Sequence, residues 1–159
     1  MEGPFDTVFG LPVHALVVHA VVVLLPLCAV GAILMVVRAS FSRRFGSLVV
    51  VVAAVAAVSS VVAKQSGLAL AERVGTPEQH ASLGEVMPFI AAGFFVLLLV
   101  FWLFDRGIPA NRSRPGWLIA LGVLLVLASL VAILWAVQTG HTGAEAVWSS
   151  VVSSTTPRG

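Results

Sequence analysis

Apolar residues run without a charged interruption for about the length of a membrane span four times along the chain, at 13–37, 47–63, 86–104 and 117–137. Polar residues collect between these runs, with glycine and proline, in segments 38–46, 64–85 and 105–116. About 20 apolar residues in an α-helix cross a hydrocarbon core of about 30 Å, so each run is long enough or nearly so. One charged side chain at the centre of such a helix costs about 2.5–3.5 kcal/mol on insertion scales, which gives the absence of charge its meaning. The pattern predicts an all-α protein, a four-helix transmembrane bundle, with residues 1–148 as one domain.

Local signals refine the elements. Pro12 suits the first position of helix one, and Pro26 should kink that helix midway. The connection 38–46 is short, so the first two helices should be antiparallel neighbours. Ala53 with Ala57, and Ala56 with Ser60, give the small-xxx-small spacing that lets helices approach closely in lipid. Gly67 reads as a helix stop, followed by a short interfacial helix at 68–74. Thr76, Pro77, Glu78 and Gln79 read as a helix start, with Thr76 as cap; helix three then runs from Pro77 to Phe104 with a kink near Pro88. Ala120, Ala128, Ala132 and Ala136 share one stripe of helix four. Residues 141–147 extend that helix briefly, and the Ser/Thr-rich tail 149–159 is expected to be disordered. No internal repeat, Gly-rich phosphate loop or serine-nucleophile motif is visible.

Composition agrees: of 159 residues, 59% are hydrophobic and 10% charged, which excludes an ordinary soluble domain. The net charge of +2 is no nucleic-acid footprint, because the arginines lie beside helix ends. Arg38, Arg43, Arg44, Arg106, Arg112 and Arg114 fall in the first and third connections, against Lys64, Arg73 and Arg158 on the other side. The positive-inside rule therefore places both termini and the 64–85 connection on the extracytoplasmic side. Residues 1–12 carry no Lys or Arg, and the run that follows exceeds a signal-peptide core, so helix one is expected to be retained. Cys28, the one cysteine, reads as a small packing residue.

The chemistry-bearing residues are four histidines, His14, His19, His80 and His141, all at the same ends of their helices. Imidazole is a common ligand for zinc, copper and haem iron, and bundle interiors are a usual place for such sites. Counting back from Arg38 places His19 nearest the hydrocarbon. His19 and His80 are the first candidates, His141 the next and His14 the last. Glu145, Glu85, Gln65 and Gln138 could orient the rings from behind. The plainer alternative is that the histidines are solvated or cap helix ends. His14 and His19 lie about 140° apart around a regular helix and cannot both face one centre. No acid or histidine falls in the opposite half of any span, which disfavours a two-haem conduit or a proton-coupled transporter.

The stretch Leu11–Pro12–Val13–His14–Ala15–Leu16–Val17–Val18–His19 resembles the opening signature of a bacterial four-helix membrane family, domain of unknown function 2231. Gln65–Ser66–Gly67 with Glu72, His80 with Gly84–Glu85, and Gly140–His141–Thr142–Gly143–Ala144 are similar to further motifs of that family. The match departs at Ala15 and Ala20. The resemblance implies four spans in a bacterial plasma membrane, places all four histidines in motif positions and names no activity. Two main readings follow, ahead of a third, a passive small-solute pathway, which the lack of a polar stripe on the helices disfavours. One is a membrane protein binding a single haem b or transition metal in a redox or sensing role. The other is a non-catalytic interaction or scaffold protein that packs against a membrane-protein partner or its own copy, with no cofactor. Nothing marks a catalytic constellation, and the lipid bilayer is the one partner common to both.

Overall fold

A computed structural model of the chain describes residues 7–155. A two-stranded antiparallel ribbon, β1 (Thr7–Val8) with β2 (Leu11–Pro12), opens it, turning through Phe9 and Gly10, both at positive φ. Two consecutive positive-φ residues give the turn twist that matches paired strands. Four helices follow: α1 (Val13–Val37), α2 (Ala39–Val74), α3 (Glu78–Asp105) and α4 (Gly116–Thr155). All four are long and apolar enough to cross a membrane. The helices α1 and α3 each pack against both α2 and α4, so α1 and α3 oppose one another diagonally.

Helices exceed the expected spans at several ends. Pro12 is the N-cap of α1 and not its first helical residue. The first connection shrinks to Arg38, whose extended backbone alone separates α1 from α2. Gly67 does not stop α2; the helix continues to Val74 and ends at Gly75, where φ is +87°. There is accordingly no separate interfacial helix at 68–74. Pro77, not Thr76, is the N-cap of α3, and no side chain caps it. The helices are continuous through Pro26 and Pro88. Residues 149–155, expected to be disordered, are the last turns of α4; residues 156–159 of that tail lie outside the described residues. At 1.5 Å per residue, the 40 residues of α4 extend about 60 Å, twice a hydrocarbon core.

The core combines small and large side chains from all four helices. Ala53, Ala56, Ser60, Ala132 and Ala136 are buried, whereas Ala120 of the expected alanine stripe is exposed. Leu25, Met35, Leu98 and Phe101 fill the space between. Outward-facing Val23, Leu27, Val51, Val55, Leu127 and Leu134 are exposed, as a lipid-facing surface requires.

The two halves of the bundle repeat one another, a relation the sequence conceals. Buried positions of α2 recur in α4 seventy-six residues further on: Ser42 and Leu118, Gly46 and Gly122, Val49 and Leu125, Ala53 and Ser129, Ala56 and Ala132, Ser60 and Ala136. Buried positions of α1 recur in α3 sixty-six residues on: Val21 and Met87, Leu25 and Ala91, Cys28 and Phe94, Ala32 and Leu98, Met35 and Phe101. The closest helix approaches repeat as well. A Cβ on Gly46 would meet Trp102 at 2.5 Å, and one on Gly122 would meet Val36 at 3.0 Å. Trp102 and Val36 are themselves sixty-six residues apart. The chain is thus two helical hairpins of like direction, related by an approximate two-fold axis along the bundle.

One end of the bundle is closed by a buried ion pair. Asp105, the last residue of α3, is 4% exposed. It accepts hydrogen bonds from Ser42 Oγ at 2.5 Å and from Arg114 Nε and Nη2 at 2.7 and 3.0 Å. The Arg114 guanidinium also donates to the carbonyls of Met35, at 2.8 Å, and Val36. Those carbonyls belong to the last turn of α1 and have no partner within their own helix, so a cation there satisfies them and complements the helix dipole. Sequence reasoning read Arg114 as a topology charge and Asp105 as a loop residue. The structure makes both part of a clasp joining α1, α2 and α3.

Candidate functional site

The opposite end carries the four histidines, and the structure brings two of them together. His14 lies in the first turn of α1 and His80 in the first turn of α3, and their ring centroids are 5.9 Å apart with planes at 79°. Both rings are half-buried between the helices. His14 Nδ1 lies 2.9 Å from the carbonyl oxygen of Ala63, and His80 Nδ1 lies 3.0 Å from that of Thr139. A carbonyl oxygen only accepts, so in each ring Nδ1 carries the hydrogen. In the neutral form that leaves Nε2 with the lone pair, and neither Nε2 has a hydrogen-bond partner among the described residues.

Each ring has the same seat. A Cβ on Gly67 would stand 3.0 Å from His14 Cε1, and one on Gly143 would stand 2.9 Å from His80 Cε1. These two glycines leave the space the imidazoles occupy. Beside each glycine is a buried hydroxyl turned back on its own helix. Ser66 donates to the carbonyl of Val62 or Ala63, and Thr142 to that of Gln138 or Thr139. Ala63, Ser66 and Gly67 are thus the counterparts of Thr139, Thr142 and Gly143 at the same seventy-six-residue spacing. Each hairpin contributes one histidine held by a carbonyl four residues before a glycine.

His19 and His141 do not join the pair. His19 is exposed, and its Nδ1 donates to the carbonyl of Ala15 in its own helix. His141 is exposed and lies 3.5 Å from Glu145, one turn away. The expected supporting groups behave likewise. Glu85 is exposed and stands 4.0 Å from Lys64, and Gln65 and Gln138 are exposed. Glu145 reaches only His141 and the rim of a cleft of about 340 Å³ between α3 and α4, bounded also by His80, Thr142 and Pro77. Backbone carbonyls, not carboxylates, orient the paired rings. Among the described residues no three of His, Cys, Asp and Glu converge as a metal-holding group.

Sequence reasoning read Gly67 as a helix stop and Gly143 only as part of a family motif, and did not place either against a histidine ring. Their signal is the pair of hydroxyl–glycine dipeptides, Ser66–Gly67 and Thr142–Gly143, each opposite a histidine at the start of the preceding helix. The arrangement places two imidazoles, each with its Nδ1–H held by a backbone carbonyl, at one mouth of the bundle. The two rings meet edge to face, within van der Waals reach of one another. A porphyrin would need more room: the cleft beside His80 is near the lower end of small-molecule pockets, which run from about 300 to 1,000 Å³, and His14 does not border it.

Four helices, each long and apolar enough to cross a membrane and each presenting apolar side chains outward, define a multi-pass integral membrane protein in contact with the lipid bilayer. The chain belongs to the family described as predicted membrane protein DUF2231, whose pattern matches residues 10–156. That family has no established function. No curated protein and no solved structure matches the chain.

Proposed function

We propose that this protein binds one transition-metal ion through His14 and His80 at the extracytoplasmic face of the membrane, in a redox or sensing role. The carrying observation is the ring pair itself: two imidazoles from diagonal helices, 5.9 Å apart, each donating Nδ1–H to a carbonyl and leaving Nε2 free. Metal-bound histidines characteristically donate their other ring N–H to such an acceptor, which fixes the tautomer and raises the basicity of the ligating nitrogen. His19 and His141 serve as solvated residues in this reading. The orientation rests on the distribution of arginines.

The test is metal content and absorbance of the full chain, purified in detergent from cells supplied with transition metals and haem precursor. One metal per chain is expected, retained in His19→Asn and His141→Asn and lost in His14→Asn and His80→Asn. Asparagine keeps an N–H donor near the Nδ1 position and removes Nε2. A Soret band that disappears in the same two variants would replace the ion by haem b at the same histidines. Colourless, metal-free protein would overturn the proposal and leave the scaffold reading.

A further inference from the structure

We infer that the chain binds one anionic phospholipid on the outside of its first hairpin, with an acyl chain in a groove between α1 and α2 and the headgroup beside Arg38 and Arg44. Three observations carry it, and none involves the histidines.

The first is a groove of fitting depth and chemistry. Leu27, Gly31 and Leu34 of α1 and Phe41, Leu48 and Val52 of α2 border a space of about 260 Å³ whose walls are almost wholly apolar. It opens outward, because Leu27, Leu34 and Leu48 are exposed on the lipid-facing surface. Its floor is Gly31, whose missing side chain lets α1 approach α2: a Cβ there would stand 3.0 Å from Val49. Over the eleven residues from Phe41 to Val52, α2 rises about 16 Å at 1.5 Å per residue. That is close to half a hydrocarbon core of about 30 Å, the depth of one leaflet and the reach of one acyl chain.

The second is charge at the shallow end of that groove. Phe41 and Phe45 both border it, with ring centroids 5.1 Å apart, and the Arg44 guanidinium carbon lies 5.2 Å from the Phe45 centroid. Arg38 follows Leu34 by one helical turn, at the end of α1. Both arginines are exposed, and no carboxylate pairs with either among the described residues. Segment 38–46 contains no acid at all. Two uncompensated guanidinium groups therefore stand where a lipid seated in the groove would carry its phosphate, the partner that a guanidinium binds best. A zwitterionic headgroup would bring a cation of its own to the same place, so a lipid of net negative charge is favoured.

The third comes from the internal repeat. At the spacings that relate the two hairpins, Gly31 answers to Leu97, Arg38 to Phe104 and Arg44 to Ala120. The second hairpin packs without the glycine at this place and without either charge, so the fold itself requires none of the three. Topology accounts for the arginines, but not for the groove beneath them. A bound anionic lipid accounts for both.

The experiment is native mass spectrometry of the full chain released from detergent micelles, titrated with phosphatidylglycerol or with phosphatidylcholine of the same acyl chains. One phosphatidylglycerol per chain is expected, bound about 30-fold more tightly than phosphatidylcholine, at about fivefold for each arginine beside an anionic headgroup. Arg38→Gln/Arg44→Gln should remove most of that preference, whereas Arg106→Gln/Arg112→Gln, which takes equal charge from the same end of the bundle, should keep it. Val30→Trp, on the exposed rim of the groove, should weaken both lipids. Glycerol phosphate in excess should not displace the lipid, which separates a seated acyl chain from a site for free phosphate. In the unaltered chain, phosphatidylglycerol with a photoreactive acyl chain should label segments 27–34 and 41–52 above the rest, a measurement that needs no variant to fold. Equal affinity for the two lipids, a preference that survives Arg38→Gln/Arg44→Gln, displacement by glycerol phosphate, or labelling spread evenly over the four helices would overturn the proposal. A lipid-free dimer broken by Val30→Trp would also overturn it and give the groove to a second copy of the chain.

Discussion

Glycine-to-alanine substitutions at four positions separate the histidine seats from ordinary helix. In Gly143→Ala the new methyl would stand 2.9 Å from His80 Cε1 and 3.1 Å from Nδ1. Carbon–carbon contacts are comfortable at about 3.5–4.0 Å, so the ring must retreat by about 0.6 Å or more. The hydrogen bond from Nδ1 to the Thr139 carbonyl, now 3.0 Å, would stretch past useful length. Losing it costs about 0.5–1.5 kcal/mol, and overpacking the seat adds about 1–3 kcal/mol. Replacing glycine inside a helix returns up to about 1 kcal/mol. The expected net loss is about 1–3 kcal/mol for Gly143→Ala, and the same for Gly67→Ala, whose methyl would stand 3.0 Å from the His14 ring. Gly46→Ala should cost more, because its methyl would meet the Trp102 indole at 2.5 Å. Gly84→Ala is the control: nothing lies within 4 Å of its Cβ position, so it should stabilise the helix slightly. Reversible unfolding in mixed micelles would read all four. A Gly143→Ala protein as stable as Gly84→Ala would refute the seat.

Other expectations are independent of that one. Asp105→Ala strands a buried guanidinium and should cost about 3–5 kcal/mol, while the Asp105→Ala/Arg114→Ala double variant should lose clearly less than the sum of the single losses; additive losses in a double-mutant cycle would refute the clasp. Trp135→Phe removes the Nε1–H bond to the Leu83 carbonyl, 3.0 Å long, and should cost about 1 kcal/mol in the same unfolding assay. Cys28 is 2% exposed and should resist maleimide in the folded protein but react on unfolding, so prompt labelling would contradict its packing. A reporter fused after Ser154 should be active outside the cytoplasm, and activity inside would reverse the orientation.

The spans were legible because lipid imposes a severe rule: a charge in mid-helix is expensive, and its absence over 13–37 or 117–137 is hard to produce otherwise. Helix ends were less legible because continuity is decided by tertiary contacts. Gly67 has the composition of a stop, yet the imidazole of His14 rests on it and the helix passes through. The internal repeat was hidden for a related reason. Packing preserves the fit between neighbours and not the identity of either, so Leu25 answers to Ala91 and Cys28 to Phe94. Depth along the helix favoured His19 as a ligand, but depth says nothing about facing. The structure turns His14 toward His80 and leaves His19 exposed on another face of α1.

The two ends of the bundle differ in symmetry. At the histidine end both halves retain the same unit, His14 with Gly67 and His80 with Gly143. At the other end the symmetry is broken. The counterpart of Asp105 is Ala39, which has no carboxylate, and the ten residues by which the two spacings differ are accommodated in the longer connection between α3 and α4. Only one clasp results, and it ties the last turn of α1 to the last residue of α3. Those are the helices that carry His14 and His80, about 33 Å away at 1.5 Å per residue. Sliding α1 against α3 by a single residue would offset the rings by about 1.5 Å and pull Arg114 from the Met35 and Val36 carbonyls. A lone lock at one end thus resists the axial slip that would misalign the paired rings at the other.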